Sequence, residues 1–128
     1  MQLLLDTHAL IWWLTDDESL SKGAYEAVAE PSNVVYTSIA SAWQLATKHR
    51  SGKLPLAGRL VGALSEIVAR ERFKELPIAF GHAQAAGALP GAHRDPFDRM
   101  LIAQALAEGL TLVSNERVFD AFGVARLW

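Results

Sequence analysis

At 128 residues the chain is long enough for one compact core and too short for two ordinary domains, so residues 1–128 are read as a single domain. With 51% hydrophobic and 20% charged residues and no Pro/Ser-rich or block-charged stretch, a largely disordered chain is excluded; the absence of cysteine excludes disulfides and zinc–thiolate sites. A net charge of -2 argues against a broad basic surface for gripping nucleic acid, so RNA or DNA would have to be engaged locally.

The apolar run QLLL at 2–5 predicts a short buried strand that ends on Asp6. A helix is expected from Ala9 to Leu14 and a second from Ser21 to Glu30, where Pro31 ends it. The segments LLL and ALIWWL are interrupted by Asp6 and His8, too short to span a membrane and without the basic prelude of a signal peptide; a cytoplasmic chain is expected. VVYTS at 34–38 is rich in β-branched and aromatic residues and predicts strand two. Ser38 or Ser41 would cap the next helix, which Ser51-Gly52 stops, and residues 59–72 repeat apolar positions at helical spacing. An extended piece at 76–78 and a short helix in HAQAAGALPG follow. Pro96 opens a helix that Gly109 closes, TLVS is strand four, and VARLW is an edge strand. Strand–helix alternation with short connections predicts an α/β fold: a short parallel sheet covered by helices on both faces.

The acids fall at telling places on this scaffold. Asp95 and Asp98 share one side of the first turn of the helix that Pro96 opens. Asp6 ends a buried strand, and Glu116 follows TLVSN in the same way, so all can reach the carboxyl edge of a sheet. Carboxylates from distant parts of a chain that converge there can hold a hard divalent cation, which polarises phosphate or water. Taken singly, each acid also has a plain structural use. Asp95 is a helix N-cap with proline at N1 and Asp98 at N3, Asp6 a turn acid, and Glu116 a residue in the first turn of a short helix.

Three segments together, LLLDTHALIWW, SIASAWQLATKHRSGKL and HRDPFDRMLIAQALAEGLTLVSNERVF, resemble the PIN-domain ribonucleases, in particular the VapC-type toxins of bacterial toxin–antitoxin pairs. The resemblance covers nearly the whole chain. It implies a PIN-like domain, an endoribonuclease activity that needs magnesium or manganese, and four acidic positions that fall on Asp6, residue 44, Asp98 and Glu116, with Asp95 as an additional acid. It also implies a VapB-like antitoxin partner and a homodimer. Two positions depart from the family pattern: residue 116 is Glu where Asp is more frequent, and residue 44 is Gln where the family has Glu. Asp6 and Asp98 would then be primary metal ligands, Glu116 a ligand directly or through water, and Asp95 a residue that shapes the surroundings or orients water. A catalytically inactive PIN-fold module that pairs with an antitoxin is the alternative that Gln44 keeps open.

Several further residues have two uses. His8 suits a structural role better than ligation of a hard cation. Lys48, His49, Arg50 and Lys53 sit at a helix end, where cations suit the dipole and RNA phosphates. Arg94 and Arg99 flank the acid pair and serve either phosphate binding or support of the carboxylates. Trp12, Trp13 and Trp43 fit helical core spacing, but one of the adjacent pair Trp12 and Trp13 is expected to point away from the core, as a contact for a partner. Other phosphoryl-transfer chemistries lack their residues: Asp6-Thr7-His8 has no second Asp for a dehalogenase-type phosphatase, and neither GxxxxGK[ST] nor GxGxxG is present.

Overall fold

The computed structural model describes residues 1–54 and 58–128. Five strands, β1 (Gln2–Leu5), β2 (Val34–Ser38), β3 (Lys74–Leu76), β4 (Thr111–Val113) and β5 (Arg126–Leu127), form one sheet in the order β3-β2-β1-β4-β5. Every pairing is parallel. The register places Leu5 opposite Thr37 on one side and Val113 on the other, so β1 is the central strand. Leu3 and Leu5 pack into one apolar cluster and Leu4 into the other, which is why QLLL is apolar without alternation: both faces of its strand are covered.

Among the described residues, seven α-helices connect the strands: α1 (Thr7–Leu14), α2 (Lys22–Ala29), α3 (Ile39–Arg50), α4 (Gly58–Gly62), α5 (Leu64–Arg70), α6 (Phe80–Ala88) and α7 (Pro96–Glu108). A 3₁₀ turn, Arg117–Phe122, links β4 to β5. No helix among the described residues is long and apolar enough to cross a membrane.

The expected strands at 2–5, 34–38, 111–114 and the C-terminal edge are all present, but three boundaries differ. The first helix starts at Thr7, because the Asp6 carboxylate caps it two residues earlier than apolar periodicity alone indicates. The helix expected over 59–72 is two helices, broken at Ala63 (φ -117°) just after Gly62. Strand β3 occupies 74–76 instead of 76–78, since Pro77 has no N–H to continue the ladder. Ser38, not Ser41, caps α3: its hydroxyl accepts from Ala40 N at 3.0 Å.

From β1 the chain steps to β2 and β3 on one side of the sheet, then crosses to β4 and β5 on the other. The order therefore reverses between β1 and β4, and in open parallel sheets the crevice outside the carboxyl ends at such a reversal is where ligands bind.

Candidate active site

Asp6 leaves β1 at that reversal. Its backbone N–H donates to Val113 O of β4, and its Oδ1 accepts from Ala9 N at 2.7 Å, so one residue ends the strand and caps α1. The side chain is buried at 4% exposure. Burial pushes its pKa above the ordinary carboxylate value, against hydrogen bonds from Ser114 and Ala9 and the nearby His8; the negative charge of Glu116 pushes it further up.

Asp98 arrives from the first turn of α7. Asp95 caps that helix, its Oδ1 accepting from Phe97 N at 2.8 Å and Asp98 N at 3.1 Å, and Pro96 occupies N1. The His93 ring nitrogen Nε2 lies 2.8 Å from Asp98 Oδ2. The Asp98 pKa is raised as well, first by burial and then by the charges of Asp95 and Glu116, against the stabilising contact with His93.

Glu116 comes from the loop after β4. Ser114 Oγ accepts from Glu116 N at 3.0 Å and so folds the loop back, and Glu116 Oε1 lies 3.9 Å from His8 Nδ1. Asp6, Asp95, Asp98 and Glu116 thus come from three separate stretches of chain into one electrostatic neighbourhood, in which Glu116 acts on both the buried Asp6 and the half-buried Asp98. Asp95 caps α7, and the same first turn carries Asp98 into the electrostatic reach of Glu116.

Gln44 sits on α3, buried at 6% exposure. Its Oε1 accepts from the Thr7 hydroxyl at 2.6 Å, and Thr7 Oγ1 is also 3.0 Å from Ser41 Oγ. Residue 44 is therefore tied to the residue next to Asp6, close to the acids but engaged in a neutral hydrogen-bond chain. Neither Thr7, Ser41, Ser114 nor His93 stands out in the sequence. Only the placement of Ser114 at a strand end and of His93 five residues before Asp98 hints at their use.

The arrangement can be tested against a hard divalent cation. The donors are all carboxylate oxygens; Asp6 and Asp98 are made reluctant to ionise first by desolvation and then by the charge of Glu116, joined at Asp98 by Asp95, and a cation relieves that repulsion as a proton does. The donor chemistry fits. Among the described residues, no three His, Asp or Glu side chains are disposed to hold one ion as they stand, with Asp98 turned to His93 and Glu116 toward His8.

Three other expectations are resolved by the packing. Arg99 supports neither carboxylate: its Nε, Nη1 and Nη2 donate to the carbonyls of Ala86, His93 and Leu89, binding the α6–α7 connection to α7. Arg94 is exposed. The tryptophan expectation is corrected: Trp12 and Trp13 are both half-buried and packed on the core, Trp12 against His8 and Trp128, Trp13 against Tyr25 and Phe73 with its Nε1 donating to Glu71. The terminal Trp128 and helix α2 supply cover that helical spacing cannot reveal. The exposed tryptophan is instead Trp43, at 65%, set edge-on to Phe97 at 5.0 Å between ring centres. With Ile78, Ala83, Phe97 and Met100 it lines an apolar groove of about 270 Å³ beside the start of α7.

A five-stranded parallel sheet of this order, with carboxylates gathered at the β1–β4 reversal, defines a PIN domain. The chain matches the PIN domain family over residues 3–125 and belongs to it. It is similar to ribonuclease VapC22 of Mycobacterium tuberculosis, 29% identical over 116 residues that make up 90% of this chain and 87% of that protein. Its fold is shared with VapC20 of M. tuberculosis, a toxin that cleaves the sarcin–ricin loop (TM-score 0.72, 15% identity, 96% of each chain). It is shared too with VapBC2 of Rickettsia felis bound to a promoter DNA fragment (TM-score 0.71, 16% identity, 98% and 97% covered). FitAcB of Neisseria gonorrhoeae is a more distant likeness (TM-score 0.59, 22% identity, 97% and 95% covered).

Proposed function

We propose that this chain is a VapC-type toxin, a magnesium- or manganese-dependent endoribonuclease held in check by a VapB-like antitoxin. The observation that carries this reading is the approach of Asp6, Asp98 and Glu116 at the β1–β4 reversal, where Glu116 raises the cost of charge on both aspartates, in a PIN domain similar to a ribonuclease along most of its length.

The reaction is hydrolysis of an RNA phosphodiester: a water oxygen bonds to phosphorus as the bond to the leaving ribose oxygen breaks. Asp6 and Asp98 would hold the metal, with Glu116 as a third ligand directly or through water. When bound, the ion would supply positive charge to the phosphate oxygens and lower the pKa of water. The remaining work belongs to the chain. Asp95 fixes the first turn of α7 and with it the direction of Asp98. Ser114 supports Asp6 and the Glu116 loop together. Thr7 joins the start of α1 to Gln44, so that α1 and α3 keep one spacing across the pocket. Metal-dependent cleavage of a mixed RNA pool, lost in Asp98→Asn, tests the assignment; cleavage that survives chelation and Asp98→Asn would overturn it.

The inactive-module reading rests on Gln44, whose oxygen is taken up by Thr7 and which brings no charge to the pocket. The partner follows from the groove. Pro96 and Phe97 line it while Asp95 and Asp98 of the same turn face the acids, so an antitoxin tail crossing both would set apolar side chains on Trp43 and Phe97 and a basic one among the carboxylates. A homodimer in the cytoplasm completes the reading, and the mass of the purified chain and of its complex with a co-expressed antitoxin measures both.

A further inference from the structure

The connection between α6 and α7 is built around one side chain. Arg99 of α7 donates to the carbonyls of Leu89 and His93, which pins the backbone on both sides of Gly91. Gly91 has φ +110°, and a Cβ there would meet the Phe122 ring at 3.3 Å, so glycine lets the loop lie this close to the 3₁₀ turn. The His93 ring stands edge-on to Phe119 and Phe122 of that turn, with ring centres 6.2 and 6.3 Å apart. Its Nε2 reaches Asp98 Oδ2 at 2.8 Å, and the two side chains are only 22% and 19% exposed. An ionised carboxylate only accepts, so Nε2 carries the hydrogen and donates it. Asp98 Oδ1 has no hydrogen-bond partner among the described residues.

We infer that His93 is a positioning residue for the metal: by holding Oδ2 it fixes the plane of the Asp98 carboxylate and leaves Oδ1 as the oxygen for a cation. The inference rests on the metal-dependent reading above and adds to it a residue from outside the acidic set. A carboxylate can ligate through one oxygen while the other keeps its hydrogen bond. Asp98 therefore has no need to leave His93 when an ion arrives, and the contact that must open is the one between Glu116 and His8. Without the donor, Asp98 is free to turn about χ2 away from the negative charges of Asp95 and Glu116. Two other roles for the ring give different results on substitution. A histidine that competes with the metal for Asp98 would weaken binding by its presence, and one that only packs on Phe119 and Phe122 would matter through its ring and not through its N–H.

Manganese binding to the purified full-length chain, read from the electron paramagnetic resonance signal of the free ion, separates the three. His93→Phe keeps the ring against Phe119 and Phe122 and removes the donor, whereas His93→Gln keeps a donor and removes the ring. Manganese affinity is expected to fall by about tenfold or more in His93→Phe and to stay near the parent value in His93→Gln, with thermal melts reporting that each variant is folded. The reverse order would make His93 a packing residue, and tighter binding in His93→Phe would make it a competitor; either overturns the inference. A fall of about tenfold in His93→Gln alone does so as well, whatever the fate of the other variant. Asp98→Asn distinguishes the inference from the reading beneath it. Manganese binding lost in Asp98→Asn but unchanged in His93→Phe removes the role of His93 only, and a parent chain that binds no manganese removes the metal site and this role together.

Discussion

Gln44 differs from glutamate, the residue that the resemblance to VapC-type toxins implies at this position, by one charge and almost no volume, so exchanging the two probes electrostatics without repacking α3. In Gln44→Glu the Thr7 hydroxyl, now 2.6 Å from an amide oxygen, would donate to a carboxylate oxygen in the same place. Loss of one preorganised polar group in a site of this kind commonly costs about 3 kcal/mol of barrier. We therefore expect the chain to cleave RNA weakly and Gln44→Glu to raise manganese-dependent cleavage by at least about tenfold, measured as initial rates on one RNA pool. Equal rates would remove residue 44 from the machinery. The two aspartates with raised pKa values make a second prediction. Asp6 and Asp98 hold their protons more tightly in the folded chain than in the unfolded one, so the folded state binds more protons between the ordinary carboxylate value and the raised one. Their contribution to stability is largest at the acidic end of that window and falls as pH rises through it. Manganese at millimolar concentration should offset this loss at neutral pH and raise the Tm. Asp98→Asn should raise the metal-free Tm at neutral pH and abolish most of the manganese effect; thermal melts of both proteins with and without the ion check this, and a parent Tm indifferent to manganese would count against the metal site.

Helix α7 shows how an element can be legible from its ends. Asp95, Pro96 and Gly109 mark it in the sequence as cap, first residue and stop, and the structure has it from Pro96 to Glu108 with Gly109 in the left-handed region at φ 65°. A Cβ at Gly109 would meet nothing within 4 Å, so the cost of Gly109→Ala is conformational only, about 1 kcal/mol, with Gly109→Asn costing less. Chemical denaturation of the two variants measures the difference. Periodicity was less informative over 59–72, where α4 and α5 form two short helices, and at α1, whose first turn depends on Asp6 as a cap. Side-chain burial was least legible of all. Trp12, Trp13 and Trp43 have the same local spacing, and whether each is covered depends on Trp128, Tyr25, Phe73 and Phe97 from distant parts of the chain. The same holds within the candidate site: the acids are visible as motif residues, whereas Thr7, Ser41 and Ser114 act only through contacts that the fold creates.

At the scale of the whole molecule, apolar surface left uncovered is the clearest sign of a partner. Trp43 and Phe80, at 65% and 87% exposure, lie on α3 and α6, and the groove between these helices and α7 runs up to the acid-bearing turn. Trp43→Ala should leave the Tm within about 0.5 kcal/mol of unchanged stability, as for an exposed position, and weaken a co-purifying antitoxin by about tenfold or more. Calorimetric titration of the antitoxin against parent and variant gives the comparison, and an unaltered Kd would place the partner elsewhere.

The central position of β1 also governs when the acidic pocket can come into being. Synthesis makes β1 long before its second neighbour, β4, so the sheet cannot close around β1 until β4 has been delivered. Until then Asp6 has no Val113 carbonyl to bond and no Ser114 beside it, and Glu116, which follows β4, has not been made. Pairing between strands so far apart in the chain is slow to nucleate, which extends the interval further. Synthesis itself is thus a delay timer: on the toxin reading, truncated products lacking β4 should be harmless on expression even when they contain Asp6, Gln44 and Asp98, because the pocket forms only after β4 and Glu116 have been made.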